Sequence, residues 1–98
     1  MEYKKFEKKM KGLVEKEIDD YKKLVKSLPT DEKFLAYVPT LITYEDNISH
    51  IINVYASARS AFVVGKPLIC TEKKDGSLGY QTKEKRVTLK KNNHGMYG

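Results

Sequence analysis

Apolar residues recur at three- and four-residue steps through the first third of the chain: Tyr3, Phe6, Met10, Leu13, Val14, Ile18, Tyr21, Leu24, Val25 and Leu28. This spacing predicts one long helix over residues 3–28 with an apolar stripe turned to a single partner surface. The row slips at Leu13–Val14, as the drift of a straight 3.6-residue helix requires. The opposite face is Lys, Glu and Asp, with Glu7 four before Lys11 and Asp19 four before Lys23, the favourable order for helical ion pairs. Gly12 weakens the interior by about 1 kcal/mol. Pro29 ends the helix by pushing its predecessor out of the α region.

In the middle, Thr30 is a candidate N-cap with Asp31 and Glu32 behind it, predicting a short helix over 31–37 that Pro39 stops. Leu41-Ile42 is expected to be loop or extended. The row Tyr44, Ile48, Ile51, Tyr55, Ala58, Phe62 steps by 4, 3, 4, 3 and 4. Thr43 caps it in a weak capping box with Asp46, and Gly65 and Pro67 close it. Residues 44–64 are therefore helical, either as one helix or as two, 44–51 and 55–64, meeting near Asn53.

After Pro67 the period changes to two. Leu68–Thr71 and Leu78–Thr82 read as strands joined by the turn Lys74-Asp75-Gly76-Ser77, and Asp-Gly is a strong hairpin signal. Leu78, Tyr80 and Thr82 share one strand face. Residues 86–90 predict a third strand with Val87 and Leu89 inward. The tail 92–98 has no period and is expected to be loose. The prediction is a single α+β domain over 1–98, with the long helix at 1–28, a helical middle and a C-terminal basic β-hairpin.

Charge changes the picture. The 98 residues carry 19 Lys+Arg against 13 Asp+Glu, a net charge of +6. Residues 1–28 hold nine lysines against six acids, which intrahelical pairs on a solvated face explain. The last third holds seven basic against three acidic residues. A basic hairpin after a helix pair resembles the winged helix-turn-helix proteins in element order and charge, over residues 31–91. That resemblance implies a small DNA-binding protein, a transcriptional regulator or a mobile-element accessory protein. Ser57, Arg59 and Ser60 would then face the major groove of double-stranded DNA. Lys66, Lys73, Lys74, Lys83, Lys85 and Arg86 would touch phosphates. The competing reading of the hairpin is an edge kept soluble by its lysines. The stripe on the long helix packs either on the rest of the domain or on its own copy, and the second choice gives a homodimer through Phe6, Met10, Leu13, Ile18, Tyr21 and Val25. The alternative function is a protein-binding adaptor or inhibitor, such as a phage-type protein acting on a host factor. An unbroken 44–64 helix with scattered basic residues would favour it.

Candidate chemistry is sparse. The two histidines, His50 and His94, and the single Cys70 have no zinc-ligand spacing, and no Gly-rich phosphate loop is present. Asp46, His50 and Ser57 would line one helical face, but residues seven apart lie about 10 Å apart along the axis, too far for a relay. Cys70 reads as a small core residue. No enzyme, metal or cofactor is expected. A lone cysteine suggests a reducing, cytoplasmic setting. No apolar run approaches the length that crosses a bilayer, and Met1 leads into Glu-Tyr-Lys-Lys rather than a secretory signal.

Overall fold

The amphipathic first third forms helix α1, Tyr3–Ser27. It ends where Pro29 forces Leu28 into extended backbone, and the Leu28 N–H closes the last turn on the Val25 carbonyl at 3.3 Å. The computed structural model describes residues 1–89. The tail at 92–98, expected to be loose, and Lys90, expected to end the third strand, lie outside the described residues.

The second helical region differs from the expectation at its start. The short helix expected over 31–37 is a 3-10 segment, Glu32–Tyr37, and its cap is Asp31 rather than Thr30: the Asp31 carboxylate accepts the Lys33 N–H at 3.0 Å. The segment runs directly into helix α2, Val38–Val63. Pro39 does not stop a helix but sits in the first turn of this one, where a missing N–H breaks no bond. Leu41 and Ile42 are therefore helical rather than extended. Thr43 is no cap; its hydroxyl donates to the Pro39 carbonyl at 2.9 Å. The expected alternative of two helices meeting near Asn53 is also absent, because α2 runs through Asn53 without a break. The row from Tyr44 to Phe62 meets α1 from end to end, with Tyr44 beside Tyr21, Phe62 stacked on Tyr3 and Ile51 and Ala58 in the core between them, as one continuous helix allows. Gly65, at φ +80, ends the helix. Its N–H bonds the Phe62 carbonyl at 3.1 Å, and the Lys66 N–H bonds the Ala61 carbonyl at 3.0 Å. This paired closure needs a left-handed residue, which glycine adopts without strain.

Three strands follow: β1 (Ile69–Glu72), β2 (Leu78–Gln81) and β3 (Arg86–Leu89). They form an antiparallel meander in the order β1-β2-β3, with Cys70 opposite Tyr80 and Tyr80 opposite Val87. The first turn uses Gly76 at φ +88, its N–H bonded to the Lys73 carbonyl at 3.0 Å. The second is closed by Thr82 and Lys85, joined at 2.9 Å. The architecture is thus α+β, two long helices followed by a three-stranded sheet.

The helices are antiparallel. The Tyr3 ring stacks on Phe62 at 4.0 Å, while at the other end the Tyr21 hydroxyl donates to Glu45 at 2.8 Å. The sheet turns Cys70, Leu78, Tyr80 and Leu89 onto Phe6 and Met10 of α1 and onto Ile51, Val54 and Ala58 of α2. Phe6 and Met10 are consequently core residues, not the expected dimer contacts. Leu13, Ile18 and Tyr21 are half-buried within the monomer, and Val25 is exposed. No residue from 18 to 46 is buried. The core therefore sits at one end of the helical hairpin, and its last layer is a buried bond from the Asn47 amide to the Glu17 carboxylate at 3.1 Å.

Two glycines predict stability changes of opposite sign. A Cβ at Gly79 would lie 2.8 Å from the Val87 carbonyl oxygen, a backbone atom that cannot rotate away. Gly79→Ala should therefore cost about 1–3 kcal/mol. A Cβ at Gly12 meets nothing within 4 Å, so Gly12→Ala should stabilise by about 0.5–1 kcal/mol through helix propensity. Urea midpoints of the two variants check both signs.

Candidate functional site

Helix α2 is apolar around most of its circumference, yet α1 and the sheet cover only part of it. On the remaining face Ile52 is 43 %, Val64 65 % and Val63 70 % exposed. Val14 and Tyr55, half-buried, continue this surface into the groove between the two helices. One concavity is lined by Lys11, Val14, Glu15, Ile52 and Tyr55. A second shares Ile52 and Tyr55 and extends through Ala56, Arg59 and Ser60 to Val63 and Val64. The two are continuous, so the exposed aliphatic side chains form part of one strip.

Cations border this strip. Along α1, Lys4, Lys8 and Lys11 follow one another at helical spacing beside Glu7 and Glu15. Glu7 is held in place locally. The Tyr3 hydroxyl donates to its carboxylate at 2.9 Å, and Lys11 lies 3.5 Å away. The Tyr3 bond is the main cause that keeps the Glu7 carboxyl below the ordinary value of 4.5. Burial first, and then the same bond, pushes the Tyr3 phenol far above its usual range. Lys4, Lys8 and Arg59 have no ion-pair partner among the described residues.

A third concavity joins the strip at Ser60 and Val64 and lies between the end of α2 and the β2–β3 turn. Ser57, Ala61, Lys66, Thr82, Glu84 and Lys85 complete it. Lys85 also reaches over the Tyr80 ring, 5.9 Å from its centre. Four of the residues expected to contact nucleic acid, Ser57, Ser60, Lys66 and Lys85, therefore meet in one cleft. Lys83 and Arg86 flank it from the same turn, both exposed. Arg59 lines the adjoining strip beside Ser60 and not the cleft itself. It lies about 200° from Ser57 around the helix and faces the α1 side, where its charge acts on Tyr3. Lys73 and Lys74 are also apart. They occupy the β1–β2 turn, at the opposite end of β2, a strand about 13 Å long. The nine residues thus do not form one surface.

Other candidate chemistry remains dispersed. Cys70 is buried in the core, and burial pushes its thiol up. No group of three or more His, Cys, Asp or Glu that could hold a metal ion is found among the described residues. No helix among them is long and apolar enough to cross a membrane. No family model matches the chain, and no curated protein and no solved structure matches it.

Sequence reasoning missed Ile52, Val63 and Val64 as surface-forming residues, and with them Lys4, Lys8 and Thr82. A signal was present. Val63 stands outside the 4-3-4-3-4 row, so a helix that buries the row must leave it elsewhere, whereas Ile52 adjoins the row and reads as widening it, yet is left exposed.

The Tyr3–Glu7 bond gives a titration prediction. A depressed carboxyl contributes stability above its unfolded value, and that contribution is lost as pH falls through the lower folded value. Carbon-detected NMR should find Glu7 titrating below 4.5 in the wild type and returning toward 4.5 in Tyr3→Phe.

Proposed function

We propose that this protein is a small binding module that docks a protein segment carrying both apolar and acidic side chains. The strip from Val14 to Val64 is its docking surface. The observation that carries this reading is the exposure of Ile52, Val63 and Val64 on one concave, cation-bordered face. Protein interfaces combine an apolar centre with a polar rim, whereas surfaces that hold duplex DNA are much more polar. Lys4, Lys8, Lys11 and Arg59 on the rim favour an acidic partner and speed its encounter. The continuity of α2 supports the same choice, since the major-groove reading rests on a separate recognition helix.

One observation favours nucleic acid instead: Lys66, Lys83, Lys85 and Arg86 gather at the β2–β3 turn and the cleft beside it. A single experiment separates the readings. Fluorescence anisotropy would follow a labelled amphipathic peptide with a leucine stripe and flanking glutamates, and in parallel a labelled random-sequence duplex. Both titrations run at low and moderate salt. The peptide should bind with modest salt dependence, and Val63→Glu should weaken it about tenfold or more, a hot-spot effect. Val63 is exposed, so the variant keeps its fold. Duplex binding that falls steeply with salt and ignores Val63→Glu would transfer the assignment to nucleic acid.

A further inference from the structure

The charge of the molecule is divided along the helical hairpin. Residues 17–50, which form the end without a sheet, hold seven acidic against four basic residues. The remaining described residues, at the sheet-bearing end, hold thirteen basic against six acidic. At the extremity of the acidic end, the 3-10 segment Glu32–Tyr37 buries none of its residues. Leu35 is 69 % exposed, and Phe34, Tyr37 and Ile42 are exposed beside it. Asp31 and Glu32 flank them without an ion-pair partner among the described residues. This tip has the chemistry that the strip on the other end requires of its partner: large apolar side chains next to carboxylates.

We infer that the occupant of the strip is the tip of a second copy of this chain. The inference rests on the docking surface proposed above and names its partner. Each copy carries one tip and one strip at opposite ends of a hairpin whose α1 is about 37 Å long. Two copies side by side and antiparallel bring each tip to the other's strip, so both contacts form at once and the assembly closes as a twofold dimer. The same arrangement sets each acidic end against a basic end. A parallel pair would set like charges together.

Sedimentation equilibrium of the full chain tests this. The wild type should weigh twice 11.3 kDa at low salt and shift toward 11.3 kDa as salt screens the charged ends. Leu35→Asp at the tip and Val63→Glu on the strip should each weaken self-association about tenfold or more. Both side chains are exposed, so circular dichroism should show folded variants. Mixing the two variants restores one wild-type tip against one wild-type strip, and association should return in the mixture. A wild type that stays monomeric at low salt, one that forms open polymers, or a dimer indifferent to both variants would overturn the inference. A monomer that still binds the acidic amphipathic peptide overturns self-association alone and leaves the docking surface standing. Loss of both removes both.

Discussion

Cys70, Leu78, Tyr80 and Leu89 close over Phe6, Met10, Ile51, Val54 and Ala58, and this contact between a four-residue-deep sheet and two much longer helices governs the rest of the molecule. Burial of apolar surface is the main favourable term in folding, and here it is concentrated at one end. The sheet is too short to follow the helices along their length. Beyond Glu17 and Asn47 the described residues form a helix pair without a third layer, tied by the Tyr21–Glu45 bond and the nearby Tyr21 and Tyr44 rings. The exposed apolar residues of the tip follow from that mismatch in length.

Polar groups inside this arrangement help define it. The Glu17–Asn47 bond marks the boundary between the three-layered and two-layered parts. Removing either partner would leave a buried polar group unpaired, a cost of about 1–3 kcal/mol and more for a charge. Sliding one helix along the other would break the same bond, so the pair opposes alternative registers. The Tyr80 hydroxyl is buried with no hydrogen-bond partner among the described residues. Its ring is nevertheless well placed, edge-on to Phe6 and beneath Lys85. The aromatic contacts offset part of the cost of the stranded hydroxyl.

The surface chemistry extends the same division. Cations gather where the sheet and the α2 terminus meet, and acids where the hairpin protrudes. The basic residues that accompany the sheet fall into separate groups, at the two ends of β2 and along α1. Between two of these groups lies the aliphatic strip. The mixture of exposed valines and lysines on this surface is the basis for proposing a protein segment, and not a run of phosphates, as its partner.

Much of the architecture is legible in the sequence because its cues are local. The stripe from Tyr3 to Leu28 and Pro29 define α1, Gly65 and Pro67 define the end of α2, and Asp75-Gly76 defines the first turn of the sheet. Local cues misled at Pro39, which suits the first turn of a helix as well as its end, and at Leu41-Ile42, too short to carry a period. The regular row through Asn53 is compatible with one helix or two, and one continuous helix keeps the whole row against α1 and the core. The candidate site was less legible. Ser57, Ser60, Lys66 and Lys85 meet because a helix terminus and a hairpin turn some twenty residues away happen to adjoin, whereas Lys73 and Lys74 fall at the other end of the same strand. Composition and periodicity by themselves determined the α+β class, the helix and strand order and the net positive charge, since these depend on neighbours in the chain. Which apolar residues are covered, and which charges share a surface, was decided only in three dimensions, where a short sheet meets a long hairpin at one end.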